Sequence, residues 1–168
     1  SMDVNPIDAV FNTISASTNT GFQTINLQDL SPIPGIVFII IMIIGGCGFS
    51  TAGGMKVFRL IKLVNVKNLI LRKKLSHSDK NHIITASILV VLFPLIPYFV
   101  AVHMESLGYD FEDSYFDAVS ALTTTGLGAG TIGLDLDPTT LTLFSFLMIF
   151  GRLEIILLIY MVVPRLIP

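Results

Sequence analysis

Apolar residues along this chain fall into long blocks separated by polar stretches. The blocks lie at 34 to 44 (PGIVFIIIMII), 82 to 102 (HIITASILVVLFPLIPYFVAV) and 139 to 163. The second has about the 20 residues that a bilayer-spanning helix needs. Pro94 and Pro97 would bend it, which membrane bundles tolerate. The first is too short to cross alone. It continues through GGCGFSTAGG into MKVFRLIKLV, so 34 to 64 spans only as a broken helix. The third is interrupted only by GRLE at 151 to 154. Two amphipathic stretches, Asp8 to Ser17 and Asp113 to Leu122, predict helices of roughly 15 Å, half a bilayer.

Those two stretches are copies of one another. Residues 8 to 22 read DAVFNTISASTNTGF and residues 113 to 127 read DSYFDAVSALTTTGL. At a constant offset of 105, Asp8/Asp113, Phe11/Phe116, Ser15/Ser120, Ala16/Ala121, Thr18/Thr123, Thr20/Thr125 and Gly21/Gly126 match. Each copy ends in a Thr-rich, Gly-containing segment too polar for lipid and too irregular for a long helix. The second copy lies between two spans, whereas the first has only the span that follows it. The predicted organisation is a half-helix with a broken helix over 1–64, a basic linker over 65–81, and a complete helix, pore loop, helix unit over 82–168. The fold class is therefore an all-α membrane protein with re-entrant half-helices and a broken transmembrane helix.

Composition supports the membrane reading. The 168-residue chain is 52% hydrophobic and only 13% charged, about half the charged share of an ordinary soluble domain. Eight of its ten basic residues lie between Lys56 and Lys80. The positive-inside rule puts that stretch in the cytoplasm and both repeat copies at the outer face, with Arg165 also on the cytoplasmic side. Asp8, Glu105, Asp110, Glu112, Asp113, Asp135 and Asp137 gather near the copies, where acids concentrate cations by field focusing; singly, each reads better as a solvated loop residue, and the asymmetry as a whole is what favours focusing. Cys47 is the sole cysteine, which excludes a disulfide within the chain. Ser1-Met2 resembles a cloning scar, and no cleavable signal sequence is visible. His77, His82 and His103 lack metal-ligand spacing and read as solvated or interfacial. No nucleophile–base pair, phosphate loop or metal cluster is present, so enzymatic chemistry is not expected.

A half-helix that stops in mid-membrane turns the negative end of its dipole toward a cation. The residues that follow, Thr18-Asn19-Thr20-Gly21-Phe22 and Thr123-Thr124-Thr125-Gly126-Leu127, can then climb back outward. Glycine permits the positive φ that aims successive carbonyls at one axis, and a ring of carbonyls replaces the hydration shell of a monovalent cation. A Thr/Gly turn joining two helices explains either copy alone. The twofold repetition favours a selectivity filter.

These two segments, GGCGFSTAGGMK after the first and GRLE in the last span resemble the Trk/Ktr/HKT superfamily of potassium transporters, most closely the TrkH/KtrB-type membrane subunits of bacteria and archaea. The resemblance covers essentially the whole chain. It implies a potassium-channel-like fold of four linked helix, pore loop, helix repeats around one pore. This chain then supplies the pore loop and second helix of the third repeat and all of the fourth. Gly21 and Gly126 take the places of the filter glycines, with Thr18 to Phe22 and Thr123 to Leu127 lining the filter. Neither copy has the T-V-G-Y-G of tetrameric potassium channels. The transported substrate is K+, and no bound cofactor is implied. Implied partners are the remaining repeats on the same or a second chain, a homodimer mate, and a cytoplasmic nucleotide-binding regulatory subunit of TrkA/KtrA type; nucleic acid is not among them. The location implied is the plasma membrane of a prokaryote.

Gly45, Gly46, Gly48, Gly53 and Gly54 fall within ten residues of a membrane span, with Cys47, Phe49, Ser50, Thr51 and Ala52 among them. Non-helical backbone at that depth must be buried in protein or face a water-filled cavity, and a small-residue packing face is the alternative. The resemblance makes this stretch a loop that obstructs the pore and moves for conduction. Arg152 is the one basic residue deep in an apolar span, where a charge costs at least about 2.5–3.5 kcal/mol. Glu154 lies on a different face of that helix and is a poor partner. Arg152 is thus either a structural ion pair with another element or, as the resemblance implies, a positive charge in the pore that limits cation flow. Two other readings remain: a secondary transporter with re-entrant loops, and a non-conducting scaffold or assembly subunit.

Overall fold

Two helix caps of the same design open the two amphipathic helices. The computed structural model describes residues 5–29, 32–46, 53–54, 77–133 and 136–152, with backbone alone at 29, 32 and 77–89. Helix α1 (Pro6–Ser17) begins after Asn5, whose side chain accepts from the Ile7 N–H at 3.1 Å, with Pro6 in the first turn. Proline suits that position because its missing N–H would be unpaired there anyway. Helix α4 (Phe111–Leu122) begins after Asp110, whose carboxylate accepts from the N–H groups of Glu112 and Asp113 at 3.0 and 3.3 Å. Both helices have 12 residues and start two residues before the expected Asp8 and Asp113. The caps, at positions again 105 apart, explain the difference.

Between them lie a short 3-10 turn (Leu27–Asp29), α2 (Pro32–Ile44) and α3 (His77–Ser106), and α5 (Pro138–Arg152) follows. Helix α2 stops where the glycine-rich stretch begins, at Gly45 with φ +69°. Helix α3 keeps Pro94 and Pro97 inside its 30 residues. It ends in a Schellman turn: the Tyr109 N–H donates to the Met104 carbonyl and the Gly108 N–H to that of Glu105, with Gly108 at φ +96°. Among the described residues no helix is long and apolar enough to cross a membrane. The expected crossings at 34–64 and 139–163 run into residues outside that set, as do the basic linker up to residue 76 and Glu154; that at 82–102 lies within α3, where residues up to 89 are described by backbone alone.

Helix α4 is the centre of the packing. One side, through Ala118, Ala121 and Leu122, joins Phe93, Val100 and Met104 of α3 and Phe144 and Leu147 of α5. The other, through Phe116 and Val119, joins Ala16 of α1, Phe38 and Met42 of α2, and Leu27. The Tyr115 hydroxyl adds a tether to the Pro94 carbonyl of α3 at 3.3 Å. Helix α1 has the same sequence pattern, and among the described elements only α2 and α4 lie beside it. Only Asn12, Ser15 and Ala16 of α1 are buried, and Ile7, Val10, Phe11 and Ile14 form an exposed apolar face.

Candidate functional site

The two Thr/Gly segments leave their helices by the same turn. In the first, the Asn19 N–H donates to the Ala16 carbonyl and the Thr20 N–H to the Ser15 carbonyl, at 3.2 and 2.9 Å. In the second, the Thr124 N–H donates to Ala121 and the Thr125 N–H to Ser120, at 3.1 and 2.9 Å. These are Schellman turns, in which a left-handed residue reverses the chain and pairs the last helical carbonyls. The left-handed residue is normally glycine, yet here it is Asn19 (φ +51°) and Thr124 (φ +54°). The expected glycines follow two residues later, Gly21 at φ +87° and Gly126 at φ +90°. Each turn is reinforced by a hydroxyl pair, Thr18 with Thr20 at 2.7 Å and Thr123 with Thr125 at 2.8 Å. Because the final carbonyls are already shared with these donors, the half-helices offer a cation their dipole field more than free oxygen ligands.

A second device, not singled out from the sequence, holds the returning chain against its own helix. The Asn12 side-chain oxygen accepts from the Thr24 N–H at 3.2 Å, while its NH2 donates to the Thr24 hydroxyl at 2.8 Å. The Asp117 carboxylate accepts from the Ala129 N–H, and from the Thr131 N–H (3.0 Å) and hydroxyl. Positions 12 and 117 are again 105 apart, as are 24 and 129. An amide replaced by a carboxylate is not a sequence match, but the repeat register was the signal that could have found it. Gly126 is also held by its N–H donating to the Ser120 hydroxyl at 3.1 Å. The equivalent Ser15 hydroxyl is buried with no hydrogen-bond partner among the described residues.

The two segments lie side by side. At their base the Asn19 NH2 donates to the Thr123 carbonyl at 2.8 Å. In the middle, a Cβ added to Gly21 would sit 2.1 Å from the Thr125 carbonyl oxygen, so the backbones meet with no room for a side chain. Further out, the Gly128 N–H donates to the Gln23 side-chain oxygen at 3.0 Å. Phe22 and Leu127, at matching positions, differ in surroundings: Phe22 is 69% exposed and Leu127 2%.

The ends of the glycine-rich stretch meet at this base. Gly53 lies so close to the second segment that a Cβ there would be 2.2 Å from the Thr123 carbonyl oxygen and 2.8 Å from the Thr124 hydroxyl. Gly45 approaches Gly53 and Gly54 with similar closeness, and Gly54 has φ +86°. Gly46 follows Gly45 as a bend. Cys47, Gly48, Phe49, Ser50, Thr51 and Ala52 lie outside the described residues. Arg152 is exposed and ends α5 next to Gly151, where a Cβ would meet the Leu122 carbonyl oxygen at 1.8 Å. Helix α5 thus brings Arg152 toward the end of α4 from which the second segment departs. At the other end of α4, Asp113 has its pKa raised, first by burial and then by the charges of Asp110, Asp117 and Glu112. His103 is half-buried, and its Nε2 has no hydrogen-bond partner among the described residues.

Comparison with known proteins was informative across the chain. A family model described as TrkH, cation transport protein, matches residues 4–165. An uncharacterized cation transporter of Methanocaldococcus jannaschii is 33% identical over 163 residues, covering 89% of this chain and 34% of that protein. The Trk system potassium uptake protein TrkH of Vibrio parahaemolyticus is 30% identical over 173 residues, covering 93% and 35%. The crystal structure of the potassium transporter TrkH from Vibrio parahaemolyticus superimposes with a TM-score of 0.73 at 26% identity, over 94% of this chain and 37% of that one. The chain spans about a third of the length of these relatives. With its residues matched almost end to end and its helices superimposable on an all-helical membrane transporter, the chain belongs to the TrkH family of cation transport proteins.

Proposed function

We propose that this chain is the C-terminal part of the ion-conducting subunit of a potassium uptake transporter. One observation carries the reading: two segments with one turn geometry abut along their length, Asn19 on Thr123, Gly21 on Thr125 and Gln23 on Gly128. Dehydrated K+ would pass along Thr18 to Phe22 and Thr123 to Leu127, contacting carbonyl and threonine oxygens, with further segments completing the ring. The stretch from Gly45 to Gly54 would close the pathway at its base, and Arg152 would add a positive charge that opposes cation flow. Permeation of this kind needs no covalent chemistry. The remaining repeats, a second subunit and a cytoplasmic nucleotide-binding regulator would complete the system in a prokaryotic plasma membrane, with both segments toward the outside. The tight packing of Gly53 on Thr123 and Thr124 supports the gating role. The acids at the first turn of α4 support the outward-facing mouth.

The test is rubidium and sodium flux into liposomes holding this chain assembled with its remaining repeats. Rubidium entry well above sodium entry is expected, and equal entry of the two ions, or none, would overturn the reading. Replacing Arg152 with alanine should raise basal rubidium flux at equal expression, and unchanged or lower flux would remove Arg152 from the gate.

A further inference from the structure

The left-handed turn residue of each segment carries a side chain where glycine would be cheaper. A β-branched residue in that conformation is an outlier, and strain of this sort persists where surrounding contacts hold it. Both side chains adjoin the same residue. The Asn19 NH2 donates to the Thr123 carbonyl at 2.8 Å and reaches the Gly53 carbonyl at 3.3 Å. The Thr124 hydroxyl flanks Gly53 from the second segment. Asn19 is buried and its side-chain oxygen has no partner among the described residues. Among the described residues it engages its surroundings through the donor, and that donor bridges three parts of the chain.

We propose that Asn19 is the latch of the glycine loop: its amide pins Gly53 against the base of the neighbouring segment, so the loop leaves only by breaking this bond. The proposal rests on reading the segments as a filter and the glycine stretch as its gate, and it adds the residue that couples them. Asn19 is a positioning residue. It sets the resting place of the loop, and with the loop gone the same NH2 still holds the Thr123 carbonyl. The two copies are not interchangeable here, because a threonine at position 19 is too short to bridge Thr123 and Gly53.

Two substitutions separate the latch from a purely structural turn residue. Asn19→Gly keeps the left-handed backbone at no steric cost and removes the amide. Asn19→Thr installs the residue that the second copy holds in the same conformation. In the assembled transporter, both should raise basal rubidium flux roughly three- to tenfold, the range expected for a lost buried hydrogen bond. A structural defect would instead lower flux. Unchanged or reduced basal flux in both variants, at equal membrane abundance, overturns the latch. Gly21→Ala measured alongside separates the two levels. If it alters ion selectivity while the Asn19 variants are silent, the latch alone falls. If it leaves selectivity intact, the filter reading falls and takes the latch with it.

Discussion

A side chain at position 21 has nowhere to go, whereas one at position 126 does. A Cβ on Gly21 runs into the Thr125 carbonyl, but on Gly126 its nearest neighbour is the Gly21 Cα at 3.8 Å. Both positions share the left-handed strain, about 1–3 kcal/mol for a non-glycine residue. Gly21→Ala should therefore disturb ion selectivity and thermal stability more than Gly126→Ala, in paired flux and melting measurements on the transporter. Equal effects would mean that strain alone matters and the close approach does not. A similar contrast applies to the struts. Asp117 accepts three hydrogen bonds from residues 129 and 131 as a buried carboxylate. Bonds to charged groups contribute about 1.5–3 kcal/mol each. Asp117→Ala should lower stability by about 3 kcal/mol or more, and Asn12→Ala by about 1–2, in denaturant or thermal unfolding. The glycines and threonines of the segments were legible from the repeat itself. The struts were not, because Asn12 and Asp117 differ in residue type and their partners lie 12 or 14 residues away in irregular backbone.

At the scale of elements, the sequence pattern located the five helices of the described residues. The two caps and the preserved Schellman turns supply what it lacked at the ends. The half-helix C-termini were legible because the hydrophobic pattern stops at Ser17 and Leu122. Their starts were missed by two residues because Asn5 and Asp110 precede the apolar pattern and act through side-chain hydrogen bonds. The end of α2 at Gly45 was readable from the glycine content. The contact of α5 with the end of α4 was not, since a lone glycine in an apolar run carries no directional information. That contact is sharp: a methyl group on Gly151 would collide with the Leu122 carbonyl and press on Thr124. Gly151→Ala should push the two helices apart and cost about 2 kcal/mol or more, in the range of an overpacked core. Thermal unfolding in detergent tests this, and a melting temperature unchanged from the parent would show that α5 slides without penalty.

At the scale of the molecule, the informative feature is the difference between two equivalent helices. Phe116, Val119 and Leu127 are buried where α4 meets α1, α2 and the 3-10 turn. Their counterparts 105 residues earlier, Phe11, Ile14 and Phe22, are 44%, 57% and 69% exposed. The chain thus has one copy of an interface made and its repeat left open. Ile14→Lys should weaken association with the remaining repeats while leaving the α3–α4–α5 core folded. Mass measurement in detergent after cross-linking would reveal this, and full assembly of the variant would show that the face is covered by lipid instead. The contact is head-to-tail: one unit offers its half-helix, and the unit before it offers the groove beside α2. Interfaces of that type do not pair off and stop. Repeated with a constant rotation, they run on as a helix or close as a ring. Only closure would bring every Thr/Gly segment to a single axis, and the exposed face of α1 is where the next unit of such a ring would join.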